Sequence, residues 1–347
     1  MVKGTDKQVK NKIVCFLFII FALVSNCFES YAASLGGNKL REWEDGHYRE
    51  DIRIYSLTTV DYIKGEPEFD FISLSDDLYL YNDKNQESIF LIPSGERNNY
   101  KKEQYLLTGS YRAKLLELIG ISEDDTVFIY DYIKNDLKSF PISWLNTFAV
   151  VNTYYHGYEP YELAAYMFGF KLETNLFENY STAIVYIGKE NPFAQQPLTP
   201  LFWHKINKKE FPVLESDDEI TSLMPVWNPE KLLKGDNYMA EANGLRFFIQ
   251  NYQNPSNNET YIRHLIILDA NSNILTNVVH GYGEGGMLLP LTTSADDEEI
   301  YQWTGRILKN EPSVIFDFSS EAFSCRPLFQ FIHPQHQFFV PRCDCRH

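Results

Sequence analysis

The sequence predicts an α+β fold, mostly antiparallel β-sheet with a few helices. Three observations carry that expectation. Short runs of β-branched and aromatic residues recur along the chain, Asp/Asn-rich clusters separate several of them, and only three stretches have helical spacing. The chain holds 25 Phe and 23 Tyr in 347 residues, and such abundance suits a β-rich core.

The first strands are expected near Ile52, Ile54 and Ser56, at 69–72 and at 78–81, where the cluster 82–85 turns the chain into 88–92. Residues 111–119 place Leu115, Leu116, Leu118 and Ile119 on one broad helical face, with Gly120 as the C-cap. A second hairpin follows: 126–130, a turn at 134–136, then 138–144, with another strand within 145–155. Pro160 opens a predicted helix over 160–170, since a proline costs nothing in the first helical turn. Residues 183–187 read as a strand, and 192–200 as a Pro-rich loop between two halves, 33–195 and 196–347. Three prolines make 211–233 irregular. Residues 245–251 and 261–268 are strand-like, and 269–273 turn the chain into 274–279. A helix is expected over 295–308, with Ser294 as N-cap and four acids in its first turn, and a closing strand over 314–318.

The leading segment places the chain in a compartment. Lys3, Lys7, Lys10 and Lys12 precede an unbroken run of twelve apolar residues, 13–24, and Ser30-Tyr31-Ala32 offers small residues at a cleavage site. That run is short for a membrane span and fits a secretory signal peptide ending at residue 32. Val24-Ser25-Asn26-Cys27 has the outline of a lipobox, although Asn26 stands where a small residue is usual, so a lipid anchor at Cys27 is an alternative. No later segment has 18 consecutive apolar residues, so the mature chain is expected to have no membrane span. The expected location is exported, periplasmic or secreted, or tethered through that lipid.

Charge narrows the partners. The whole chain is −16; residues 1–32 contribute four Lys against Asp6 and Glu29, so the mature chain is −18. Such a field repels nucleic acid and anionic lipid and favours a basic protein or a cation.

Candidate chemistry falls in two places. Cys325, His333, His336, Cys343, Cys345 and His347 lie within 23 residues, a donor set that zinc accepts tetrahedrally. In an oxidising compartment, a disulfide from Cys325 to Cys343 or Cys345 competes with that use. The second place is the glycine-rich 280–286, where His280 and Glu284 flank the loop as a base and an acid. No Lys-Ser/Thr follows the glycines, so this is no phosphate loop, and the chain has no Gly-x-Ser-x-Gly elbow. His156 with Glu159, and the acidic pairs at 76–77, 124–125 and 217–218, have no selecting pattern.

These readings converge on an exported acidic protein that binds a macromolecular partner, in its sharper form an inhibitor or immunity-type factor against a basic toxin or enzyme. The alternatives are an exported hydrolase, metal-assisted or built on His280 and Glu284, and a lipid-tethered envelope component.

Overall fold

The computed structural model describes residues 51–75, 91–93, 99–172, 182–212, 232–281, 286–297, 299–321, 328–330 and 337–343. The leader, Cys27, the 82–85 turn, most of 213–233 and several candidate ligands lie outside these residues.

Eight strands make the first sheet: β1 (Ile54–Val60), β2 (Phe69–Ser73), β3 (Gln104–Leu107), β4 (Thr126–Asp131), β5 (Asp136–Pro141), β6 (Asn146–Val151), β7 (Tyr166–Leu172) and β8 (Ala183–Gly188). Their order is β3-β6-β7-β2-β1-β8-β4-β5, antiparallel throughout. The expected helix is α1 (Ser110–Ile119), which buries Leu115, Leu116 and Ile119. Gly120 adopts the left-handed conformation (φ 69°), and the N–H groups of Gly120 and Ile121 close the helix on the carbonyls of Glu117 and Leu116. The α1 face packs on one side of the sheet with Tyr105, Ala149, Val151, Phe168 and Phe170.

The chain then makes β9 (Thr199–Pro200), β10 (His204–Ile206), β11 (Leu233–Ala242), β12 (Leu245–Gln253), β13 (Thr260–Leu268) and β14 (Ile274–Gly281). The last five form a second sheet in sequence order. Next come β15 (Gly286–Leu288), β16 (Trp303–Gly305), β17 (Val314–Phe316), β18 (Ser319–Glu321), β19 (Leu328–Gln330) and β20 (Gln337–Phe339). Strands β15 and β18 pair as a ribbon, and β20-β19-β17-β16-β9 form a third sheet.

Strand periodicity explains how the third sheet joins the other two. Successive side chains of β17 point to opposite faces. Val314 and Phe316 pack with Ile54, Phe128, Tyr130 and Ile184 of the first sheet, while Ile315 packs with Phe247, Ile249, Leu265 and Val278 of the second. Near the expected 195–196 boundary, Phe193 is buried, Ala194 N–H donates to Ile307 O (2.8 Å) and Lys309 N–H to Pro192 O (2.7 Å). The C-terminal segment folds back as well: Ser56 N–H donates to Arg342 O (2.9 Å) and Arg342 N–H to Ile54 O (2.8 Å).

Two expected helices are corrected, and α1 is the one α-helix among the described residues. Residues 160–170 make a short 3-10 turn, Leu163–Ala165, and then β7. Strand β7 is buried on both faces, so its continuous apolar run carries no period that separates strand from helix. Gly169 has its own reason: a Cβ there would stand 1.8 Å from the Ile72 carbonyl oxygen of the neighbouring strand. Within 295–308, residues 295–297 form a turn and Trp303–Gly305 form β16. The Asp297 carboxylate accepts from Thr293 and Ser294 N–H, which makes a tight loop of a segment that resembles a capped helix. Strand β11 is absent from the sequence reading because 233–242 is rich in polar and charged residues; the Asn243-Gly244 hairpin turn that follows it was the available signal.

Candidate functional site

Of the sequence candidates, His280 lies on β14, 4% exposed, its ring stacked on Phe318 at 5.0 Å and 17°. That packing suits a core residue better than a proton shuttle facing substrate. Glu284 lies outside the described residues, as do Cys325, His333, His336, Cys345 and His347. Cys343, the one cysteine among the described residues, is disulfide-bonded. A bridged sulfur is no thiolate, so Cys343 is withdrawn from a zinc set. The described residues hold no group of three His, Cys, Asp or Glu placed to bind a metal ion, and no described helix is long and apolar enough to cross a membrane.

Other polar candidates serve structure. His156 Nε2 meets Glu103 Oε1 at 3.0 Å, a different carboxylate from Glu159. Asp125 accepts from Ser122 N–H (2.7 Å) and pairs with Lys189 (3.1 Å). Asp269 accepts from the N–H groups of Asn271 and Asn273, which shapes the β13–β14 turn. Many tyrosines are core: Tyr100, Tyr105, Tyr161 and Tyr166 meet edge-on, although Tyr154 and Tyr158 stand exposed.

A better site comes from the segment read as a helix. Pro290, Leu291, Thr292, Asp297, Glu299 and Tyr301 line an open cavity of about 320 Å³. Its frame is rigid because Gln302, fully buried, satisfies backbone on three sides. Gln302 Nε2 donates to Pro290 O (2.9 Å) and Asp317 O (2.8 Å), and its Oε1 accepts from Thr292 N–H (3.1 Å). Tyr301 N–H donates to Thr292 Oγ1 (3.0 Å), and Trp203 N–H to Thr292 O (2.8 Å).

The lining is acidic and partly preorganised. Asp297 Oδ2 accepts from Thr293 N–H (2.8 Å), Ser294 N–H (3.1 Å) and Thr293 Oγ1 (3.4 Å). The backbone donors of Thr293 and Ser294 hold this carboxyl below the usual Asp range, so it is ionised at neutral pH. Glu299 accepts from the Tyr301 hydroxyl. Two carboxylates beside a phenol ring offer charge and a π face to one guest, and the matching chemistry is an ammonium or guanidinium group. The acids were visible in the sequence but read as a helix first turn; the cavity needs Gln302, whose role no local pattern announces.

Comparison of the chain with protein-family models, with curated proteins and with solved structures finds no match.

Proposed function

We propose that this is an exported acidic protein that acts by binding a basic macromolecular partner, one of whose Lys or Arg side chains enters the cavity at Asp297, Glu299 and Tyr301. The observation that carries the reading is the pairing of an open, rigidly framed cavity with two carboxylates, one of them held ionised by its own loop. The net charge of −16 adds a long-range field of the same sign. Export rests on the leader at 1–32 and agrees with a disulfide-bonded Cys343. Blocking a basic toxin or enzyme is the sharper form of the same reading, since an active site lined by cations would be the natural counterpart.

The experiment is site-directed photo-crosslinking in the exporting cell. A crosslinking side chain at Thr293, beside the cavity, should give one discrete adduct whose partner, sequenced by mass spectrometry, is basic. The same probe at Ser139, on the β5 edge of the first sheet, should give none. An adduct pattern that is the same from both positions, or an acidic partner at Thr293, would contradict the proposal.

A further inference from the structure

Strands β12, β13 and β14 align Asn251, Arg263 and His280 in one cross-strand row. The row lies on the same face as the apolar row Ile249, Leu265 and Val278, two residues along each strand. All three polar residues are buried, Arg263 to 6% exposure. The opposite face of this sheet also buries polar groups, but they satisfy one another. Gln250 Nε2 donates to Asn237 Oδ1 (2.5 Å), and His264 Nε2 meets Asn277 Oδ1 (2.5 Å).

Arg263 is not matched in that way. Its Nε donates to Asn251 Oδ1 (3.4 Å) and its Nη1 to the Leu289 carbonyl, both neutral acceptors. Nη2 has no acceptor among the described residues, and no described carboxylate pairs with the group. A guanidinium carries five N–H donors in a planar fork and stays charged at neutral pH. Burial lowers its pKa to about 10, the direction expected of a cation short of counter-charge. Removing a cation from water without an anion beside it is costly. A buried fork with donors to spare, and with no carboxylate partner among the described residues, is suited to two oxygens of one anion.

From this geometry we propose that Arg263, with Asn251 and His280 beside it, holds a small oxyanion: an inorganic phosphate or the carboxylate of a small acid. The site is distinct in charge from the acidic cavity, although Leu289, whose carbonyl steadies Arg263, immediately precedes the cavity residue Pro290. It stands or falls independently of the basic-partner reading.

The test is calorimetric titration of the full mature chain with sodium phosphate and, separately, sodium acetate, at constant ionic strength set with sodium chloride. Saturable binding of at least one anion is expected. Arg263→Met should abolish it, and Arg263→Lys, which keeps the charge but loses the fork, should weaken it by about tenfold. Far-UV circular dichroism checks that each variant is folded, and the Lys variant decides the matter if the Met variant is not. Phosphate binding alone assigns a phosphate site, acetate alone a carboxylate site, and both a general oxyanion site. No saturable binding of either anion, or equal binding by wild type and the folded variants, overturns the proposal and leaves Arg263 as a staple between β13 and Leu289.

Discussion

The first and second sheets are both antiparallel, yet they use buried polar groups in opposite ways. In the eight-stranded sheet these groups mostly serve the backbone. Asp131 Oδ1 accepts from Ile133 and Lys134 N–H to form the β4–β5 turn, and Ser75 Oγ accepts from Phe168 N–H. The bulk of that core is apolar or aromatic, with the tyrosine tetrad at its centre. In the five-stranded sheet, Asn251, Arg263 and His280 make a polar row on one face, the other face carries Asn237, Gln250, His264 and Asn277, and several of these side chains bind one another. A buried polar group that satisfies backbone is part of the fold's own wiring. A buried row bound mostly to neutral groups costs desolvation, and Arg263, which has no carboxylate partner among the described residues, is the member that the proposed anion would compensate.

That contrast predicts a ranked set of effects. The largest belongs to the first sheet. Tyr166→Ala removes a fully buried ring touching three other tyrosines and should cost about 3 to 5 kcal/mol in urea unfolding. Arg112→Met comes next, at about 2 to 3 kcal/mol. It removes a bidentate pair with Glu123 and bonds to Ile142 O, Leu145 O and Thr147 Oγ1. Tyr166→Phe deletes only the hydroxyl bond to Lys102 O (2.6 Å) and should cost about 1 kcal/mol. Arg263→Met should cost about 1 kcal/mol or less although Arg263 is more deeply buried than Arg112, because losing two bonds is offset by removing a charge that has no carboxylate partner among the described residues. A cost for Arg263→Met as large as that for Arg112→Met would erase the distinction between the sheets.

The smallest effect is an acid limb. Hydrogen bonds hold Asp269 and Asp297 below their ordinary 3.8, and the Arg112 bond holds Glu123 below 4.5. Each folded-state pKa is depressed, so each contribution is complete above the ordinary value and is lost as pH falls through the lowered one. Stability should therefore be flat near neutrality and fall below about pH 4. Asp297→Asn should soften that fall and lower the unfolding midpoint at pH 7 more than in acid, because the lost contribution is present only while the carboxylate is ionised, and thermal melts at both pH values would show it.

Much of the strand content was legible because it lies in signals of short range. The run 261–268, the Asp269 turn and the helix ending at Gly120 each carry their own local cause. What was not legible depends on neighbours distant in sequence. Strand β7 has a helical look until β2 and β6 are placed on either side of it, and Gly169 reads as a weak spot until the Ile72 carbonyl stands against it. The cavity acids read in sequence as partners of a helix dipole that the fold does not form, because the Gln302 bonds that bend the segment span 10 to 15 residues. Arg263 sits within a run that reads as apolar, and an arginine at an inward position of a buried strand is the signal. His280 stands out in sequence for its chemistry, and its place flat against Phe318 is set by a residue 38 positions later.

The most direct test of the binding account is the affinity for the partner identified by crosslinking, measured by calorimetry at low and moderate salt. Wild type is compared with Asp297→Asn/Glu299→Gln, a double change confined to the open cavity. The account predicts that the double variant binds about tenfold more weakly or worse, because charge-assisted bonds are lost. It also predicts that added salt weakens the wild-type complex more than the variant complex. Equal affinity for the two chains, with the same response to salt, would contradict it.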